Sequence, residues 1–178
     1  MNDKKEIQAL FASLPSPPTL IRRGGDDHTL VASIVCDSRQ ATPDSMFVCI
    51  RGEQADGHRY VPDAIARGCR LLLVEAMPDT QLPDDVTVWQ TTDTRRDLAL
   101  LCAAFYDHPA RELTVVGITG TKGKTTTAML CYHILSKHGI KVGYIGTNGI
   151  QYQDVREKTQ NTTPASPVLQ HTLRRMRD

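Results

Sequence analysis

One stretch of the sequence combines residue types that can hold a phosphate anion. The residues from Val115 to Ile118 form an apolar run rich in β-branched side chains, and a glycine-rich turn follows them. The turn ends in Gly-Lys-Thr at residues 123–125, and the next residues predict a helix. A strand, a glycine turn, Gly-Lys-Thr and a helix, in this order, are the layout of a phosphate-binding loop for a nucleoside triphosphate.

Each residue type in this loop has a chemical reason. Gly120 and Gly123 permit backbone conformations in which successive N–H groups point at one anion. The helix that follows adds its free N-terminal N–H groups and the positive end of its dipole. Lys124 would be the catalytic cation at the β- and γ-phosphates, and the Thr125 hydroxyl would be a ligand of Mg²⁺.

The loop departs from the general pattern at one position. Ile118 stands where that pattern has a glycine, so residues 120–125 form a shorter and more particular variant. A plain glycine turn between a strand and a helix is the alternative interpretation. The order of strand, turn and helix around Lys124 favours the phosphate site.

The elements around the loop alternate between strand and helix, which predicts an α/β fold. We place a domain boundary near residue 90, which gives a small α/β domain over 1–90 and the start of a parallel-sheet P-loop domain over 91–178. The second segment is too short for the five or more parallel strands of a complete P-loop domain. We predict strands at 30–36, 46–50, 71–74, 86–90, 113–118 and 141–145, and helices at 4–14, 60–67, 95–106 and 165–178, besides one that follows the loop and ends at Gly139.

Composition narrows the possible partners and the location. The net charge is +1 and charged residues make up 23%, so no basic field argues for nucleic acid. No apolar run approaches the roughly 20 residues that span a bilayer, and we expect a cytoplasmic protein. The five cysteines include no CxxC pair and lie in apolar stretches, which predicts buried free thiols rather than a metal site.

Four motifs follow one another in the sequence: Asp-Ser-Arg at 37–39, Gln-Ala-Asp-Gly-His at 54–58, the loop at 120–127, and Asn-Thr-Thr-Pro at 161–164. In this order they closely resemble the amino-terminal part of the Mur ligases, over nearly all of the chain after the first 25 or so residues. The first two motifs favour the members that add the third amino acid over those that add the later dipeptide. The loop variant alone would also fit folylpolyglutamate synthetases.

The resemblance implies a function in peptidoglycan precursor synthesis, and so in cell-wall biogenesis, cell shape and cell division. These ligases join an amino acid, lysine or meso-diaminopimelate in most members, to UDP-N-acetylmuramoyl-dipeptide through an acyl phosphate formed with ATP and Mg²⁺. It implies an ATP site at Gly120, Thr121, Lys122, Gly123, Lys124, Thr125 and Thr126. It implies contacts to the UDP-linked substrate from Cys36, Ser38, Glu53, Gln54, Ala55, Asn161, Thr162 and Thr163.

Some residues depart from the family pattern or allow another interpretation. Glu53 and Lys122 stand where many relatives have His and Asn. The segment at 161–164 could also be a helix-entry turn with Thr163 as the N-cap. The carboxylated lysine, the remaining Mg²⁺ ligands and the domain that selects the amino acid lie outside this sequence. We therefore expect an inactive fragment with an unpaired apolar sheet edge, and a monomer in the full-length form.

The alternative functions are a non-catalytic nucleotide-binding module and another P-loop enzyme, either folylpolyglutamate-synthetase-like or a small-molecule kinase. A small-molecule kinase would leave the first 90 residues unexplained. A GTPase is disfavoured because the sequence has no Asn-Lys-x-Asp motif after the loop.

Overall fold

The computed structural model describes residues 4–24, 30–52, 55–159 and 161–178. These residues form two compact units, Met1–Asp107 and His108–Asp178. Both units contain strands as well as helices, so the predicted α/β class is confirmed. The division falls after Asp107 rather than near residue 90, because the helix at 94–105 packs into the core of the first unit.

The first unit is organised by a five-stranded sheet in the order β2-β7-β6-β5-β4. The last four of these strands are parallel, and β2 adds antiparallel to β7 at one edge. A short antiparallel pair, β1 with β3, lies outside this sheet. The elements are β1 Lys5–Glu6, α1 Ile7–Phe11, β2 Thr19–Arg22, β3 Leu30–Val31, β4 Ser33–Val35, β5 Ser45–Val48, α2 Val61–Ala66, β6 Leu71–Val74, β7 Thr87–Gln90 and α3 Thr94–Phe105.

Helices cover both faces of this sheet. Successive strand residues point to opposite faces, so Leu71 and Leu73 pack with α1 and α3, while Leu72 and Val74 pack with α2. All four residues of β6 are buried, as a central parallel strand requires. The sequence predicted this strand correctly because its apolar run is uninterrupted.

Several element bounds differ from the predictions in the first unit. The amino-terminal helix is shorter than 4–14, since Lys5 and Glu6 pair as a strand with Val31 and Leu30. Leu14 is nevertheless buried beyond the end of α1, together with Ile7, Leu10 and Phe11, so the predicted apolar face exists. The edge strand β2 was not predicted.

The described residues of the second unit form two α-helices, a short 3₁₀ helix at Pro109–Arg111 and a three-stranded antiparallel sheet. The elements are α4 Lys124–Lys137, β8 Gly143–Gly146, β9 Gly149–Tyr152, β10 Val155–Glu157 and α5 Ser166–Arg177. The side chains of Tyr144, Ile150 and Tyr152 are buried on the sheet, and Thr172 is buried on α5. The Arg175 guanidinium lies 5.5 Å from the centre of the Tyr152 ring and 2.8 Å from a carboxylate oxygen of Glu157.

The predicted strand at 113–118 is not formed, and the sheet of the second unit is not parallel in the described residues. Val115 and Val116 are 62% and 76% exposed, and residues 113–118 pair with no strand in the part of the chain that the structure describes. The described part of the chain also buries no residue of α4, where Leu130 and Ile134 are more than half exposed. The β-branched apolar run at 113–118 predicted a strand, but a strand forms only where a neighbouring strand supplies hydrogen bonds.

The burial of the cysteines also differs between the two units. Cys49, Cys69 and Cys102 are buried free thiols in the first unit, as predicted, and Cys36 is half-buried. Cys131 is exposed on α4, so the prediction of burial is wrong there. Among the described residues, no helix is both long enough and apolar enough to cross a membrane.

Candidate functional site

The predicted phosphate loop forms a turn that leads directly into α4. Gly123 is the N-cap of this helix, with a φ of 80° that favours glycine. A Cβ atom added to Gly123 would meet no other atom within 4 Å, so the space beside this glycine is open. An open left-handed glycine before a helix N-terminus leaves the first N–H groups of the helix accessible to an anion.

The side chain of Lys124 lies across this loop. Its Nζ atom donates a hydrogen bond of 2.6 Å to the carbonyl oxygen of Gly120. The Thr127 N–H donates to the Gly123 carbonyl over 2.9 Å and closes the first turn of α4. Lys124 is exposed, so its ammonium group would be accessible to a phosphate bound at the loop.

Three threonine hydroxyls, which we call the hydroxyl row, connect the loop to two later segments. Thr125 Oγ1 lies 3.5 Å from Thr147 Oγ1, and Thr147 Oγ1 lies 3.4 Å from Thr162 Oγ1. Thr147 occupies the turn between β8 and β9, while Thr162 belongs to the predicted substrate segment. The structure therefore brings a predicted Mg²⁺ ligand and a predicted substrate contact to the two sides of one turn residue.

The chemical groups of the loop are suited to binding a triphosphate together with Mg²⁺. Mg²⁺ prefers oxygen ligands and usually binds through few protein groups together with phosphate oxygens and water. Thr125, the residue after Lys124, offers such an oxygen in the first turn of α4. The described residues contain no cluster of three or more His, Cys, Asp or Glu.

The first unit places the Asp-Ser-Arg motif at the carboxyl end of β4. Asp37 caps a 3₁₀ turn over Ser38–Gln40 by accepting from the Arg39 N–H, and the Arg39 guanidinium bonds the same carboxylate at 2.6 Å. This guanidinium holds the pKa of Asp37 below its usual value. Ser38 is buried, and burial raises the pKa of the neighbouring Cys36 thiol, so that thiol stays uncharged.

An open depression of about 450 Å³ lies beside Ser38. Two arginines, Arg39 and Arg67, line it together with Asp63 and Ala66. The carboxyl ends of parallel strands meet at one edge of a sheet, where α/β proteins bind ligands. The depression thus has a largely polar lining and lies at the edge of the sheet where a ligand is expected to bind.

His58 holds the carboxyl-terminal end of the loop after β5 in place, and we call this end the root of the loop. Asp56 accepts hydrogen bonds from the His58 N–H at 3.0 Å and from the ring Nδ1 at 2.6 Å. The opposite ring nitrogen, Nε2, accepts from the backbone N–H of Glu75 at 3.2 Å, directly after β6. These two contacts assign the tautomer with the proton on Nδ1. The described part of this loop includes Ala55, which is exposed; the predicted residues Glu53 and Gln54 lie outside the described residues.

Glu75 connects this root to the start of α3. Its Oε1 atom accepts from the Thr94 N–H at 3.1 Å and from the Thr94 hydroxyl at 2.8 Å, and its other oxygen lies 3.4 Å from Arg51 Nε. The α3 N-cap itself is Asp93, which accepts from the Arg96 N–H. No sequence pattern identified Glu75, because its partners lie 19 and 24 positions away along the chain.

The predicted residues thus fall into two groups, one in each unit. Cys36, Ser38 and Ala55 lie at the carboxyl edge of the first sheet. In the second unit, the structure joins Thr125 to Thr162 through Thr147, a residue that the sequence analysis did not single out. Asn161 and Thr163 are exposed beside Thr162. The N-cap of α5 is Ala165, so the alternative interpretation of Thr163 as the N-cap is wrong.

Comparisons with known proteins agree with this arrangement. A model described as the catalytic domain of the Mur ligase family matches residues 30–106, and one described as the Mur ligase middle domain matches residues 118–178. The chain belongs to the Mur ligase family, and the predicted resemblance is confirmed.

Two similar curated proteins carry the same enzyme name. The UDP-N-acetylmuramoyl-L-alanyl-D-glutamate--2,6-diaminopimelate ligase of Geobacillus thermodenitrificans is 37% identical over 97% of this chain and 34% of its own length. The enzyme of the same name from Chlorobium phaeobacteroides is 39% identical over 90% of this chain and 32% of its own. The chain therefore spans about a third of the length of these relatives.

Solved structures support the fold. A UDP-N-acetylmuramoylalanyl-D-glutamyl-2,6-diaminopimelate--D-alanyl-D-alanyl ligase from Acinetobacter baumannii matches with a TM-score of 0.57 and 29% identity, over 76% of this chain and 28% of its own. A UDP-N-acetylmuramoyl-L-alanyl-D-glutamate--2,6-diaminopimelate ligase matches over 98% of this chain and 34% of its own, with a TM-score of 0.69. At 18% identity the second likeness concerns the fold alone.

Proposed function

We propose that this chain belongs to an ATP-dependent ligase that adds the third amino acid to UDP-N-acetylmuramoyl-dipeptide in peptidoglycan precursor synthesis. The observation that carries this proposal is the phosphate loop, with Gly123 as an open N-cap and Lys124 across its mouth, in a chain that matches both family domains. The names of the similar curated proteins support 2,6-diaminopimelate, rather than lysine, as the amino acid added.

In this reaction the substrate carboxylate takes the γ-phosphoryl group of ATP, ADP leaves, and the amine of the amino acid then displaces phosphate to form the amide. The residues Gly120, Thr121, Lys122, Gly123, Lys124, Thr125 and Thr126 would hold the triphosphate. Lys124 would give up its bond to the Gly120 carbonyl and place its charge on the transferring phosphoryl group. The Thr125 hydroxyl would bind Mg²⁺ through an oxygen lone pair.

The UDP-linked substrate would be bound by two sets of residues. We propose that Cys36, through its backbone, and Ser38 contact the uridine end, and that Glu53, Gln54 and Ala55 form a loop over the diphosphate. The Asp56–His58–Glu75 contacts support this role for Ala55, because they fix the root of that loop. Asn161, Thr162 and Thr163 would contact the sugar-peptide part.

Several further features belong to the same proposal. A cytoplasmic location fits the nucleotide-linked substrate. By itself the chain would bind ligands without catalysing the reaction, since the family's carboxylated lysine and its further Mg²⁺ ligands lie outside this sequence. The full-length protein would act as a monomer with no nucleic acid partner. A small-molecule kinase is disfavoured by the family match over residues 30–106.

Isothermal titration with a non-hydrolysable ATP analogue and Mg²⁺ tests the loop assignment. Lys124→Ala should weaken binding by about tenfold to a hundredfold, because a charge-assisted hydrogen bond contributes about 1.5–3 kcal/mol. Lys137→Ala is the matched control, since it removes the same charge from the far end of α4. Equal affinities for the Lys124 and Lys137 variants would refute the role of Lys124.

Titration with UDP-N-acetylmuramoyl-dipeptide tests the first unit separately. The larger side chain of Ser38→Tyr would occupy part of the depression and should abolish binding of the UDP-linked substrate. The ATP analogue should still bind. Ser13→Tyr is the control, because Ser13 is half-buried in the loop after α1. If the Ser38 variant bound this substrate as tightly as the unmodified chain, the uridine assignment would be wrong.

A further inference from the structure

The hydroxyl row contains one residue, Thr147, that the loop chemistry above does not use. Thr147 lies in the two-residue turn between β8 and β9, and it is exposed. Its hydroxyl is nevertheless the shared partner of Thr125, in the phosphate loop, and of Thr162. Two segments that are 37 positions apart thus meet at one oxygen atom.

The direction of the hydrogen bonds follows from what Thr125 must do. A hydroxyl that binds a cation presents an oxygen lone pair to the metal, so its proton needs another acceptor. The contact has Thr125 Oγ1 as the donor and Thr147 Oγ1 as the acceptor. Thr147 then keeps its own proton for Thr162, whose hydroxyl proton remains available for another acceptor.

We propose that Thr147 is a positioning residue, which accepts the proton of Thr125 and donates its own to Thr162, so that the metal-binding oxygen and the substrate segment are oriented together. The proposal rests on the proposed function. The distances of 3.5 and 3.4 Å are longer than the roughly 2.5–3.0 Å of an ordinary hydrogen bond between hydroxyl groups, and catalytic hydrogen bonds commonly tighten when the ligand binds.

The local backbone makes Thr147 suitable for this role and for substitution. The turn is held by the pairing of Gly146 with Gly149 and by Tyr144, whose hydroxyl lies 3.4 Å from the Asn148 N–H. These contacts do not involve the Thr147 side chain, so Thr147→Val keeps the shape of the residue and removes only the hydroxyl. Thr147→Ser restores the hydroxyl and serves as the matched control.

The test measures the affinity for a non-hydrolysable ATP analogue with Mg²⁺ and with a chelator, and takes the ratio of the two dissociation constants. Thr147→Val should reduce the Mg²⁺-dependent gain about three- to tenfold, the effect of one hydrogen bond, and Thr147→Ser should retain it. In a Thr125→Val background, Thr147→Val should change nothing further. A Thr147→Val protein with the ratio of the unmodified chain would overturn the proposal.

A second measurement separates this proposal from the proposed function. Hydrogen exchange of the amides at 161–163, without nucleotide, should be faster in Thr147→Val than in Thr147→Ser, because the segment loses its hydroxyl anchor. Equal exchange in the two variants would refute the anchor. A chain that bound no nucleotide but showed this difference would refute the ATP site while keeping the contact of Thr147 with Thr162.

Discussion

We expect the substitution Gly149→Ala, which adds a single methyl group, to destabilise the second unit strongly. It follows the turn that carries Thr147, and its φ of 96° favours glycine. A Cβ atom placed on it would overlap the carbonyl oxygen of Glu157, which belongs to the neighbouring strand and cannot rotate away. Gly149→Ala therefore combines a backbone conformation unfavourable to alanine with a collision against the backbone of β10.

Two other glycines of the same unit separate these effects. Gly139 has a φ of 76° and no atom within 4 Å of an added Cβ, so Gly139→Ala tests the conformation alone. At Gly143 the added Cβ would lie 2.5 Å from the Met176 sulfur, the flexible end of a side chain, so Gly143→Ala tests a collision that can be relieved.

The expected magnitudes follow from these contacts. Left-handed backbone costs alanine about 1–2 kcal/mol, which is the prediction for Gly139→Ala. Rotation of Met176 should keep the cost of Gly143→Ala near 1 kcal/mol. Gly149→Ala adds overpacking of about 1–3 kcal/mol to the conformational cost, a total of about 2–5 kcal/mol.

Hydrogen exchange read by mass spectrometry over residues 143–157 measures the local opening free energy of this sheet in all three variants. Gly149→Ala should lower the local opening free energy most, and the other two variants should lower it much less. If Gly149→Ala lowered the opening free energy no more than Gly139→Ala did, the collision with the Glu157 carbonyl would be refuted. In that case β10 would move aside at little cost.

Two further predictions concern the first unit and the thiols. The backbone N–H of His58, followed by its ring, holds the pKa of Asp56 below the ordinary 3.8, so its stabilisation is present above about pH 4 and lost as pH falls through the folded-state pKa. Urea unfolding at several pH values should show a weaker loss on acidification in Asp56→Asn, and identical pH slopes would contradict this. Burial raises the pKa of the Cys49 thiol, whereas Cys131 is exposed, so iodoacetamide should label Cys131 and spare Cys49 until the chain unfolds. Equal labelling rates, measured by mass spectrometry, would contradict the burial of Cys49.

The sequence by itself determined the local features of this protein. The uninterrupted apolar run at 71–74 predicted a buried strand, and the glycine turn before Lys124 predicted a helix N-terminus open to an anion. Both signals lie within short segments: an unbroken apolar run marks the strand, and a glycine that tolerates left-handed backbone marks the loop. The order of the four motifs was also enough to indicate the family.

Only the tertiary structure decided which distant residues meet. It placed α3 on the core of the first unit and so moved the boundary to Asp107. It also left Val115 and Val116 exposed, although their composition predicts a buried strand. The contacts of Thr147 with Thr125 and Thr162, and of Glu75 with Thr94, are made by polar side chains with no periodicity to mark them. Such hydrogen bonds depend on how strands and turns are placed in space, which local spacing along the chain does not specify.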